Sequence, residues 1–325
     1  MSAIKYNSRS FFRLGQSGAI FGVAAPALRE DYRLKCLSSD MSVTAGLDRF
    51  KKMFPNDFYN VGIAEQNLVG IAAGLASEGY KVVAVAQAAF ITMRAFEQVR
   101  QYLGYMNNSV VLVGINSGFA LTFFGNTHYA IEDMALMRSI PGMMVLSPAD
   151  AGAAVKAFEI AIEMNQPTYI RLTGGLMMPI VYKEDYEYDP FHMTEVVNTG
   201  NDVTIFATGS MVYNSVKAAE LLVTQGISCR VLDIHCLKPI DEGGVLRTLD
   251  SKLLVSVEEH NVNGGLGTAI SEILANQQHH PNLLRLGVKD CFSSVGDYNY
   301  LLRQHGLTPE QIADQIKKVF CNYVV

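Results

Sequence analysis

The run Val82-Val83-Ala84-Val85-Ala86 narrows the possible folds more than any other stretch of this chain. Consecutive apolar residues leave a strand with no polar face to turn to water, so it must be covered on both sides. A parallel sheet between helices provides that cover. The flanking segments keep a matching alternation. Helices are expected over residues 11–29, 63–79, 90–105, up to 138 and 150–164, and strands over 34–37, 58–61, 110–114, 143–146 and 168–172. Strand and helix in turn imply βα units, right-handed crossovers and an α/β fold with mostly parallel strands.

Residues 183–198 interrupt the pattern with an acidic, tyrosine-rich stretch that contains Pro190, and they read as a linker. A second alternating unit follows, with strands over 203–207, 229–234, 253–257 and 283–288 and helices over 211–224, 265–276 and 309–320. Thr308 is placed to cap the last helix, with Pro309 at its first position. The expected organisation is therefore two α/β domains, 1–182 and 199–325, each with a mostly parallel sheet flanked by helices.

Composition removes several function classes. No apolar run is long enough to span a bilayer, and the first residues lack the basic-then-apolar order of a secretory signal. A formal net charge of −5 without charge blocks argues against a nucleic-acid surface. The five cysteines are scattered and form no CxxC pair, which suits a reducing cytoplasm and neither a disulfide framework nor a zinc site. The histidines show no metal-ligand spacing.

The candidate chemistry centres on the stretch from Asn60 to Ala76. As a helix it places Leu68, Val69, Ala72, Leu75 and Ala76 on one stripe, and Glu65 at the stripe's N-terminal end. A carboxylate taken into an apolar interior loses hydration, and its pKa rises unless donors or cations compensate. A capping carboxylate at a helix N-terminus is the structural alternative. Gly70 and Gly74, four residues apart, let another backbone approach this helix closely.

Gly62-Ile63-Ala64-Glu65-Gln66-Asn67 followed by Gly70-Ile71-Ala72-Ala73-Gly74 resembles the thiamine-diphosphate glutamate motif of the transketolase family. The segments 90–100, 125–133, 141–143, 148–150, 257–261 and 264–267 extend the resemblance, in consistent order, over nearly the whole chain. It implies a pyrimidine-binding domain at 1–182 and a transketolase C-terminal domain at 199–325. It further implies that Glu65 hydrogen-bonds the ring nitrogen of the cofactor's aminopyrimidine, with Phe90 stacked on that ring. Gln87 stands where the family usually carries a second phenylalanine, and Asp40 matches an acidic position near the cofactor at a subunit interface. His128 matches a histidine that contacts substrate hydroxyls. Taken alone, Phe90 is also compatible with a core aromatic, Asp40 with a turn residue and His128 with an ordinary loop histidine. Arg94 and Arg100 read as structural partners of carboxylates such as Glu97 or Glu132, outside the site.

Departures from the family pattern concern the substrate. Arg13 and Thr44 fall on two phosphate-binding positions, Thr44 in place of a serine. Asn116 replaces a histidine, Gly174 an arginine, and Phe124 an aspartate that reads a sugar hydroxyl. Losing cations and an acceptor weakens recognition of a simple sugar phosphate, so an atypical ketol donor or acceptor is expected. The chain also lacks the family's Gly-Asp-Gly…Asn element, which holds Mg²⁺ and the diphosphate through oxygen ligands. The resemblance therefore implies one subunit of a split, thiamine-diphosphate-dependent enzyme. The ion's ligands would lie on a diphosphate-binding N-terminal partner, in an α2β2 heterotetramer. The alternatives are the β subunit of a 2-oxo acid dehydrogenase or synthase complex, and a non-catalytic scaffold that kept the fold.

Overall fold

The structure is a computed structural model that describes residues 4–173 and 177–324. Its strands, in chain order, are β1 (Leu34–Ser38), β2 (Phe58–Asn60), β3 (Lys81–Gln87), β4 (Val110–Ile115), β5 (Met144–Leu146) and β6 (Thr168–Arg171). They continue with β7 (Thr194–Asn198), β8 (Val203–Ala207), β9 (Cys229–Asp233), β10 (Cys236–Lys238), β11 (Leu253–Asn261) and β12 (Asn282–Val288). One sheet has seven strands in the order β10-β5-β6-β4-β3-β1-β2, and the other five in the order β12-β11-β8-β9-β7. Within the described residues all pairings between these strands are parallel except those of the edge strands β10 and β7.

The apolar run that demanded two covers has them. Val83 and Val85 of β3 face a core with Phe21 and Phe158, beneath the helices Ser8–Ala19 and Ala151–Glu163. Val82, Ala84 and Ala86 face the other way, onto Leu68, Val69 and Ala72 of the helix Glu65–Ser77. Alternate residues of one strand thus serve two cores.

The stretch read as a linker is more structured than expected. Thr194–Asn198 forms β7, an edge strand whose half-exposed polar and apolar residues need cover on one side only. Upstream, Tyr186 and Tyr188 pack into the first core, and Tyr182 stacks on Tyr186 with ring centroids 4.0 Å apart. The segment 90–105 also differs from the single helix expected. It winds through π-helical turns at Phe90–Arg94 and Val99–Tyr105 around a short α turn.

A buried polar network joins the two sheets. Arg171, at the end of β6, donates from Nε to both oxygens of Asp133 (3.1 and 2.9 Å) and from Nη2 to the backbone oxygen of Glu259 on β11 (2.8 Å). The Tyr169 hydroxyl donates to Asp133 at 2.7 Å. Glu259 in turn accepts from the Phe119 N–H (2.7 Å), the Tyr298 hydroxyl (2.6 Å) and the Ser210 hydroxyl. Gly118 has φ +60°, and a Cβ there would run into the Glu259 carboxylate, so the loop after β4 reaches this anchor only through glycine.

Asp233, fully buried at the end of β9, accepts from the Tyr182 hydroxyl at 2.7 Å while its other oxygen has no partner. Burial pushes its pKa from 3.8 up to about 8. The folded state therefore keeps a proton that the unfolded chain releases, and stability falls as pH rises from 3.8 to about 8. Asp233→Asn is expected to preserve the contact with Tyr182 and flatten that fall, unfolding at a higher temperature than the parent at pH 8. Thermal melts across the interval measure it.

Candidate active site

Parallel strands bring their C-terminal ends to one edge, and loops beyond that edge are where open α/β sheets bind ligands. Asp40 follows β1, Glu65 follows β2, Phe90 follows β3 and Asn116 follows β4; Gln87 is the last residue of β3. Asp40 and Asn116 both hold a positive φ of 57°, a conformation that costs energy for residues with a side chain.

Asp40 is exposed and exchanges two hydrogen bonds with Asn60: its Oδ1 accepts from the side-chain amide (2.9 Å) and its N–H donates to Oδ1 of Asn60 (3.1 Å). Beside it, the Ser39 hydroxyl donates to the Gly62 carbonyl (2.9 Å) and accepts from the Ala64 N–H (3.0 Å). These bonds tie the end of β1 to the turn that launches the next helix. Glu65 opens that helix and is 3% exposed. Ser39 serves the Ala64 N–H, and the side-chain partner of the Glu65 carboxylate comes from another segment.

That partner is Arg94. Its Nη1 lies 2.8 Å from Glu65 Oε2, and its guanidinium carbon sits 4.3 Å from the centroid of the Phe90 ring. The expectation that Arg94 pairs with Glu97 or Glu132 is corrected here. The π-helical turn Phe90–Arg94 sets the guanidinium over its own first residue, within reach of the neighbouring helix. Arg100 is exposed. Arg94 is the residue that sequence reasoning placed outside the site, and its i, i+4 spacing from Phe90 was the one available signal.

Phe90 meets His128 edge-on, ring centroids 5.2 Å apart, and His128 meets Phe124 at 4.9 Å. The Thr127 hydroxyl engages His128 Nδ1 at 2.8 Å, which leaves Nε2 as the ring's other polar atom. The loop carrying His128 is pinned to the second domain, since Asn126 donates to the Ser293 carbonyl (2.7 Å) and accepts from the Ser293 N–H (3.0 Å). Phe124 is 64% exposed, with Phe123 and Val295 also exposed nearby in this loop pair.

Glu65, Arg94, Phe90, His128 and Phe124 thus form one continuous chain of contacts. Arg13 and Thr44 are exposed and take no part in these contacts. Their segments approach each other, a Cβ on Gly46 coming 3.0 Å from the Cα of Gly18. Asn116 is 4% exposed, and its Nδ2 lacks a partner, as does Oε1 of Gln87. Gln87 stands opposite Ile115 in the sheet, so an unpaired acceptor and an unpaired donor sit on adjacent strand ends. Gly174 lies outside the described residues. A buried carboxylate, a half-buried ring and an orphaned amide oxygen on consecutive strand ends suit a flat heteroaromatic ring with polar edges, so the residues present fit the aminopyrimidine of thiamine diphosphate. Among the described residues no cluster of three His, Cys, Asp or Glu could hold a metal ion, and no helix is long and apolar enough to cross a membrane.

Comparison with known proteins matches residues 19–179 to the family described as "Transketolase, pyrimidine binding domain" and residues 192–312 to "Transketolase, C-terminal domain". The chain is 38% identical over 287 residues to a 6-deoxy-6-sulfo-D-fructose transketolase subunit of Clostridium sp. (strain MSTE9), covering 87% of this chain and 88% of that protein. It is 35% identical to an apulose-4-phosphate transketolase subunit of Actinobacillus succinogenes, over 89% of this chain and 93% of the other. Among solved structures, one described as a split gene transketolase, inactive beta4 tetramer, superposes with a TM-score of 0.85 at 35% identity, over 95% of this chain and 99% of that one.

Proposed function

The chain belongs to the transketolase family as the C-terminal subunit of a split transketolase, and from that premise we propose that, paired with a diphosphate-binding subunit, it transfers a two-carbon ketol unit using thiamine diphosphate. When bound, the cofactor supplies the carbon nucleophile. Glu65 holds the proton at the pyrimidine ring nitrogen, and Phe90 supports the ring face. Gln87 Oε1, buried and unpaired, would accept from the ring's amino group. Asp40 borders the cofactor at the subunit contact. His128 offers Nε2 to the substrate hydroxyls and exchanges a proton there. Arg13, Thr44 and Asn116 receive the far end of the substrate. Mg²⁺ is held by the partner chain. The observation that carries this reading is the buried Glu65 carboxylate linked through Arg94 to the half-buried Phe90 ring at the sheet's C-terminal edge.

Surface chemistry supports an assembly through the Glu65 helix. The outer side of the Glu65 helix presents Gly70, Ala73 and Gly74 beside Tyr102 and Met106, around a shallow groove of about 260 Å³. Two copies meet there, and two partner chains complete an α2β2 heterotetramer in the cytoplasm.

The substrate is atypical. Phe124 places a ring against His128 where an acceptor for a sugar hydroxyl would stand. The names of the two relatives, one for 6-deoxy-6-sulfo-D-fructose and one for apulose-4-phosphate, support a family branch with varied substrates. The test is turnover by the reconstituted pair with phosphorylated and unphosphorylated ketose donors. A kcat/KM at least about tenfold higher with a donor outside the pentose-phosphate set is expected, about 1.4 kcal/mol in transition-state terms. Efficient turnover of standard pentose phosphates would overturn the substrate reading. Phe124→Asp is expected to narrow the gap between the donor classes.

A further inference from the structure

Arg94 makes, within this chain, the two contacts assigned above to the cofactor's pyrimidine. A guanidinium is flat, cationic and edged with N–H donors, so it can stack on an aromatic face and donate to a carboxylate at once. Arg94 does both, with its Nη1 2.8 Å from Glu65 and its carbon 4.3 Å from the Phe90 centroid. An aminopyrimidine protonated at its ring nitrogen offers the same pair of features. The contacts are also unequally fixed. Glu65 is held in the interior with 4% of its side chain exposed, whereas Arg94 is 48% exposed and has room to swing outward.

We propose that Arg94 is a positioning residue that occupies the pyrimidine subsite while the ring is absent, keeps Glu65 and Phe90 in register, and yields its place when the ring binds. The proposal rests on the reading that Glu65 and Phe90 hold the pyrimidine. Its physical content is a competition: ligand and side chain claim the same acceptor and the same ring, so apparent affinity is reduced by the fraction of time the subsite is filled from within. A residue that merely braced the pocket would do the opposite, because its removal would loosen the pocket and weaken binding. Filling the subsite also gives the buried carboxylate a counter-charge before assembly, which a buried, unpaired charge requires.

The test is calorimetric titration of thiamine diphosphate with Mg²⁺ into the reconstituted pair, with Arg94→Ala, Arg94→Lys, Phe90→Ala and Glu65→Gln alongside the parent. Arg94→Ala is expected to lower Kd by about tenfold, corresponding to a subsite open about a tenth of the time in the parent. Arg94→Lys keeps the charge but loses the flat stacking surface, and is expected to lower Kd by about threefold. It serves as the second probe if the alanine variant folds poorly. An unchanged or higher Kd in both Arg94 variants overturns the proposal while leaving the subsite reading intact. Unchanged affinity in both Phe90→Ala and Glu65→Gln overturns the subsite reading itself, and the proposal with it.

Discussion

Glu65→Gln in the assembled enzyme is expected to lower kcat by about 10²–10⁴-fold, the range lost when a positioned acid or base is removed. Glutamine preserves the size of the side chain at a position that is 3% exposed, so the core beneath the helix should tolerate it. On the proposed reading it removes the carboxylate that shares a proton with the ring nitrogen, and, before the ring binds, the ion pair to Arg94. Steady-state kinetics on the reconstituted pair provide the measurement, with circular dichroism as the check on folding. A scaffold subunit would register no change, and neither would a chain whose partner carried all the acid–base chemistry. The fall should appear in kcat at saturating thiamine diphosphate, which separates it from a loss of cofactor affinity.

The second large effect is on stability. In Arg171→Met the partner carboxylate Asp133, 0% exposed, would be left without its cation. Removing one member of a buried ion pair costs about 3–5 kcal/mol, because the remaining charge stays desolvated and unmatched. The Tyr169 hydroxyl would still donate to Asp133, but one neutral donor does not replace a guanidinium. Arg171 also bonds the backbone oxygen of Glu259, so the variant loosens the junction between the two sheets as well. A drop of roughly 10 °C in unfolding temperature is expected, at about 2–4 °C per kcal/mol for a large domain. The paired change Arg171→Met with Asp133→Leu removes both charges and should recover part of the loss. Differential scanning calorimetry on the three proteins compares them directly.

Much of the architecture was legible in the residues because the relevant signals are local. Unbroken apolar runs such as Val82–Ala86 announce a doubly covered strand, and Thr308 before the last helix accepts from the Gln311 N–H (3.4 Å) as a capping residue does. The strands β7 and β10 were not legible. One is an amphipathic edge and the other spans Cys236–Lys238, and each takes its strand character from the partner it meets rather than from its own pattern. The candidate site divides the same way. Glu65, Phe90 and His128 belong to recognisable motifs, and the structure links them through contacts. Arg94 eluded the reading because its partner Glu65 opens a different helix, and only the packing of the two segments brings them within reach. Asn60, which locks Asp40, and Ser39, which serves the Ala64 N–H, depend on neighbours brought together by the β1–β2 pairing.

The excursion of β10 has a consequence for how this protein could be recombined. Residues 236–238 lie beyond the tyrosine-rich passage, within the second half of the chain, yet they border the first sheet along β5. Lys238 reinforces the seam by donating to the carbonyls of Arg138 (2.7 Å) and Ile140 (2.5 Å). A chimera spliced near residue 199 would therefore import a foreign hem onto its own front half. A fragment stopping there would bare the β5 flank, inviting stray strands to pair with it. Swaps between relatives should succeed only when that three-residue hem and its lysine travel with a matching β5.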